Sequence, residues 1–202
     1  MKINWKHCIV GLLLLSITVL YFKESQENKK YVRYLSQEIS NKHNVLIGSV
    51  FSLKDEIASL LNNHTNSITN KIIVERLYTI SRLSQDLDYY VGNFGLAKGI
   101  QLQNKTSSVS NDFAWYFEHN DISMISNEEK TKLIELNELL DNWINEISHE
   151  YIGITREDQK DITKYNTNPF VKSDKWIRII VELDKVSSDF SAAGKKIAQD
   201  PD

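Results

Sequence analysis

Along most of the chain apolar residues recur at alternating spacings of three and four, the seam of helices that each bury one face. One run is Leu46, Val50, Leu53, Ile57 and Leu60, with His64 at the next seam position. A second comprises Ile73, Leu77, Ile80, Ser84, Leu87, Val91 and Phe94, and a third Leu133, Leu136, Leu140, Trp143 and Ile147. The last and most regular is Trp176, Ile179, Leu183, Val186, Phe190, Ala193 and Ile197. None of these helices can bury its stripe alone, so the pattern predicts an all-α protein with an antiparallel four-helix bundle.

Boundary signals accompany the runs. Ser126 with Glu129 has the capping-box spacing ahead of the third run, and Ser173 with Asp174 can cap the fourth. The Asn-, Ser- and Thr-rich stretch from Asn62 to Asn70 suits a turn between the first two helices. Gly92, Gly95 and Gly99 are expected to end or bend the second helix, Asn104 to Asn111 reads as a polar loop, and Thr167, Asn168 and Pro169 mark the approach to the last helix, with Pro201 past its end.

A different pattern occupies the amino terminus. Cys8 to Phe22 carries no charge, and its middle, Leu12 to Leu15 followed by Ile17, Val19 and Leu20, is strongly apolar. That core is shorter than the roughly 20 residues that cross a bilayer, but Ile3, Trp5 and Tyr21 extend it into the interfaces. Tyr21, Phe22, Lys23 and Glu24 follow it where a cleaved secretory signal wants small residues, and Cys8 precedes the apolar run where a lipoprotein Cys would follow it. The segment therefore reads as an uncleaved anchor. Residues 1–23 form a short tail plus anchor helix and 24–202 a soluble helical domain, whose first helix can start as early as Gln26 through Tyr31, Leu35 and Ile39, almost continuous with the anchor. Asn41 to Asn44 is the expected interruption. Lys2, Lys6 and the terminal amine before the segment favour a cytoplasmic amino terminus, with the bulk of the chain extracytoplasmic at the cell membrane.

Composition sharpens this picture. Among 202 residues there are 7 Gly and 2 Pro, too few for an all-β fold of many tight turns, and a single Cys, which excludes disulfide frameworks and Cys-based zinc sites. Of the net charge of −3, residues 1–23 carry +3, which leaves −6 on residues 24–202. A mildly acidic domain lacks the basic footprint of nucleic-acid binding.

Candidate chemistry is sparse. Glu146 and His149 have the Glu-x-x-His spacing found in di-iron bundles, but no other His has a Glu three positions before it, so a solvated pair is the expectation and no metal or cofactor is assigned. Position 153 is Gly, so His149 and Glu150 do not make a His-Glu-x-x-His zinc motif. Glu135, Glu138 and Asp141 read as a solvated stripe, and Cys8 as an apolar filler rather than an acylation site. No Gly-rich phosphate loop or Gly-x-Ser-x-Gly elbow is present, so no catalytic residue is assigned and an enzyme is not expected. The densest aromatic cluster is Phe113, Trp115, Tyr116 and Phe117. Consecutive rings cannot share one helix face, so the segment is either a short helix closing the end of the bundle or a surface for a partner or ligand. Those four residues are the candidate site.

No family resemblance emerges. The expected partners are membrane lipid, through residues 3–22, and another envelope protein or a second copy of this chain, with no nucleic acid. The function expected is that of a membrane-anchored extracytoplasmic bundle serving as protein-binding scaffold, adaptor or accessory subunit. The alternative is a sensory or ligand-binding bundle, which would signal through a partner because the 202 residues hold no second apolar span.

Overall fold

The computed structural model describes residues 5–62, 70–94, 99, 101–120, 127–150 and 174–193, with the side chains of 6–8 excepted. These residues form helices and short connections without a strand: α1 Trp5–Leu61, α2 Asn70–Asn93, α3 Lys105–His119, α4 Asn127–Glu150 and α5 Asp174–Ala192. The seams from Leu46 to Leu60, Ile73 to Val91, Leu133 to Ile147 and Trp176 to Phe190 each lie on a helix, Phe94 and Ala193 fall just past the ends of α2 and α5, and α3 adds a fifth helix.

Helix α1 has 57 residues, about 85 Å at 1.5 Å per residue. It is long and apolar enough near its amino terminus to cross a membrane. Its apolar side chains from Ile9 to Phe22 are exposed on all faces. Within that stretch Ser16 Oγ donates to Leu12 O at 2.9 Å and Thr18 Oγ1 to Leu14 O at 2.8 Å, so both hydroxyl protons are satisfied inside the helix, as a lipid environment would require. Burial begins on one face at Val32 and deepens through Ser36, Ile39, His43 and Leu46.

The interruption expected at Asn41 to Asn44 is absent, because α1 is unbroken through it. Asn and His disfavour a helix interior by only about 0.7 kcal/mol each. Against that, His43 is fully buried on the seam between Ile39 and Leu46, and Lys42 pairs with Glu38 one turn back and with Asp86 of α2.

Cross-helix pairs define the packing. Lys42 meets Asp86 and Glu56 meets Arg76 at 3.6 Å, so α2 runs back along α1. Ser81 Oγ lies 3.0 Å from Ser107 Oγ while Asn70 Nδ2 donates to Phe117 O, so α3 reverses again along α2. Trp143 with Ser187 and Glu150 with Arg178 set α4 and α5 in opposite directions. Lys54 of α1 reaches Asp141 at 2.6 Å and Asn137 Oδ1 at 2.8 Å on α4. The contacts close in the order α1, α2, α3, α5, α4 and back to α1, with the most extensive between α2 and α3.

The core is one cluster fed by every helix, including Leu46, Leu53, Leu77, Leu87, Phe113, Phe117, Leu136, Trp143, Trp176 and Leu183. The polar loop expected over Asn104 to Asn111 is instead the start of α3. Three of its small hydroxyl residues turn inward: Thr106, Ser107 and Ser110 are buried, and Ser110 Oγ returns its proton to Thr106 O at 2.7 Å. His64, Ser126, Gly95, Asn168, Pro169, Ser173, Ile197 and Pro201 lie outside the described residues.

Candidate functional site

The aromatic cluster of α3 divides by face. Phe113 and Phe117 are fully buried and stack at 6.2 Å between centroids, and Phe113 also meets Phe190 of α5 at 5.9 Å. Tyr116 is buried edge-on to Phe117. Trp115 alone is half-buried, stacked on His119 at 4.5 Å, and the ring nitrogen Nδ1 of that His bonds Trp115 O. Three of the four rings thus belong to the wall between α2 and α5, and any surface built here rests on Trp115 and His119. Glu146 is half-buried and His149 exposed on α4, and among the described residues no three His, Cys, Asp or Glu side chains converge.

The unusual chemistry lies where α2, α3 and α5 meet. Asp184 of α5, 6% exposed, accepts hydrogen bonds from the backbone N–H of Gln103 at 2.9 Å and of Lys105 at 2.6 Å. It thereby caps α3 from another helix. The residue in the usual capping position, Asn104, has φ 54° and ψ 30° and makes no side-chain cap. That left-handed conformation is one Asn tolerates better than most residues, and it lets the two flanking N–H groups converge on one carboxylate. The positive end of the α3 dipole favours an anion at the same point.

One turn further along α5, Ser187 is fully buried and its Oγ donates to Leu183 O at 2.7 Å. It accepts from Trp143 Nε1 at 3.1 Å, and its one proton is shared with Thr106 Oγ1, an acceptor 3.2 Å away. Three helices are joined through one hydroxyl.

Facing this corner from α2 is Asp88, also 6% exposed, with Oδ2 buried and without a hydrogen-bond partner. Burial first, and the charge of Asp184 second, push its carboxyl up from 3.8 to about 8. Of the two carboxyls, Asp184 has two N–H donors and the helix dipole, whereas Asp88 has an oxygen with nothing to receive, so the proton of the pair belongs to Asp88. Another buried titratable group lies on α1: His43 is fully buried, and desolvation lowers it from 6.5 to about 4, with its neighbour Asn44 pulling the other way. Both groups are uncharged near neutrality.

Sequence reasoning missed these positions for two reasons. His43 continues the seam Ile39, His43, Leu46, Val50 at spacings of four, three and four, and reading that seam past Leu46 would have found it. Asp88 and Asp184 each follow a seam leucine, Leu87 and Leu183, where polar residues ordinarily line a solvated flank, and no signal in the sequence marks them as buried. Comparison with protein-family models, with curated proteins and with solved structures found no match.

Proposed function

We propose that this protein is a single-pass membrane protein whose domain over residues 24–202 binds another envelope protein, as scaffold, adaptor or accessory subunit, with its amino terminus cytoplasmic and its bundle outside the cytoplasm. The observation that carries the reading is the continuity of α1: one helix passes from an apolar segment exposed on every side, through a polar stretch exposed apart from Ser25, into the seam of the core. Such a helix holds the bundle at a set height and orientation over the bilayer, which suits a protein that must present a surface to a membrane neighbour. In the four-helix reading α1, α2, α4 and α5 carry the main seams and α3 fills the wall between α2 and α5.

The same continuity, together with the buried carboxylate corner, supports the second reading, a sensory bundle that passes a change among its helices to α1 and so to a partner. The test is fractionation of the full-length protein followed by crosslinking in intact membranes, with a photoreactive residue in place of Trp115. The first reading expects recovery in the membrane fraction, a reporter fused after Asp202 active only outside the cytoplasm, and a discrete crosslinked partner. A soluble protein, a cytoplasmic reporter or monomer alone would overturn it.

A further inference from the structure

Among the described residues, the corner where α2 meets α3 and α5 holds two carboxylates but donors for only one. Asp184 accepts from the Gln103 and Lys105 N–H groups, and Asp88, near enough to feel the charge of Asp184, has a buried Oδ2 with no hydrogen-bond partner among the described residues. Two buried anions without a counter-charge repel strongly and are poorly solvated, so the packed arrangement requires a proton. Once α2 moves away from α5, Asp88 meets water and the requirement disappears. Proton binding and the seating of α2 are therefore linked.

We propose that Asp88 and Asp184 form a proton-held latch: the proton on Asp88 keeps α2 seated on the α3–α5 corner, and its withdrawal loosens that corner and the first turn of α3. The inference stands on the bundle alone and does not depend on the membrane reading.

Among the described residues, charged groups on the neighbouring helices engage other partners. From α1, Glu38 and Lys42 turn to Asp86 and Tyr90, with Lys42 Nζ 6.0 Å from the Tyr90 ring centroid, and His43 is buried and neutral. From α3, Lys105 acts on Asp112, whose carboxyl burial raises and Lys105 lowers. From α5, Asp184 is the charge whose field reaches Asp88, while Lys185 pairs with Glu182 at 3.4 Å on a solvated face. None of these supplies the missing cation.

The sign follows from the two states of Asp88. In the open corner it is an ordinary carboxyl, ionised above 3.8, and in the closed corner it keeps its proton to about 8. Between those values the closed state binds one proton more, so closure weakens as pH rises, by up to about tenfold in the opening equilibrium per pH unit, and levels off above the upper value. The corner is tight in acid and loose in alkali.

The test is amide hydrogen exchange of the full chain in detergent micelles between pH 5 and 9, corrected for the intrinsic rate, read at Lys105 to Val109. In the wild type, protection should fall as pH rises toward 8 and then level off. Asp88→Asn, which keeps the shape and cannot lose a proton, should abolish that fall, and Asp184→Asn, which weakens the cap, should lower protection at every pH. An unchanged pH profile in Asp88→Asn, a flat profile in the wild type, or full protection in Asp184→Asn would overturn the latch. Carboxyl carbon NMR of the unmutated protein reads the same proton directly: a midpoint for Asp88 at or above pH 7 supports the proposal, and a lower one sinks it.

Discussion

Trp143 of α4 donates its indole N–H to Ser187 Oγ of α5 at 3.1 Å, with both side chains fully buried. Because Ser187 Oγ also donates to Thr106 Oγ1, removal of its oxygen strands one buried donor, the indole N–H, and takes a partner from one buried hydroxyl. Ser187→Ala should therefore destabilise the bundle by about 1–3 kcal/mol, the cost of buried unsatisfied groups. Trp143→Phe in the Ser187→Ala background should cost less than the two single changes added, since the stranded indole N–H is gone. Urea unfolding of the four proteins in this cycle, followed by circular dichroism, measures the coupling, and strict additivity would count against the bond.

Two buried titratable groups, His43 and Asp88, predict an asymmetric pH profile. His43, lowered to about 4, favours the folded state fully above 6.5 and less as pH falls toward 4. Asp88, raised to about 8, contributes fully below 3.8 and loses that contribution as pH rises toward 8. Between pH 4 and 6.5 the two slopes oppose and nearly cancel. From 6.5 to 8 Asp88 acts alone, and stability should fall by roughly 2 kcal/mol, at about 1.4 kcal/mol per unit. Each variant should uncover the other group: Asp88→Asn gives stability that rises from pH 4 to 6.5 and then holds, and His43→Leu gives a continuous decline from 4 to 8. Thermal melts across that range check both, and profiles indistinguishable from wild type would refute the assignment.

Faces of α3 should separate packing from surface. Phe117→Ala removes a fully buried ring stacked on Phe113 and should cost about 3–5 kcal/mol. Trp115→Ala removes a half-buried ring and should cost about 1 kcal/mol or less. Loss of crosslinked partner in Trp115→Ala, with the melting transition kept, would assign the ring to a contact surface. Equal destabilisation by the two changes would mean that α3 packs differently.

The exposed stretch of α1 before Val32 should be structurally separable from the bundle. Asn28→Pro breaks helix hydrogen bonds at a local cost of about 3 kcal/mol, yet the first buried side chain among the described residues of that helix is Ser36. The unfolding transition followed by tryptophan fluorescence should stay within about 0.5 kcal/mol of wild type. Spin labels on either side of position 28 should report a broadened distance distribution. A lowered transition would show that the stretch belongs to the folding unit.

What could be read without coordinates was what depends on local periodicity. Seams at spacings of three and four identify α1, α2, α4 and α5 because a helix must turn its apolar stripe to one side whatever its neighbours are. The apolar run from Cys8 to Phe22 likewise marks itself by lacking charge. Where sequence reading failed, a contact with a distant residue outweighed a local preference. Asn104 and the hydroxyls after it favour a turn until Asp184, far along the chain, accepts the Gln103 and Lys105 N–H groups. Asn41 to Asn44 favours a break until His43 is packed into the core.

By itself, then, the sequence determined an all-helical protein with one amino-terminal helix long and apolar enough to cross a membrane. Tertiary structure alone decided which polar residues are taken out of water. Asp86 and Asp88 differ by two positions, yet one pairs with Lys42 at a half-exposed edge and the other is 6% exposed beside Asp184. A rotation of about 200° around α2 separates their fates, and only the arrangement of its neighbours says which side faces a cation and which a second carboxylate.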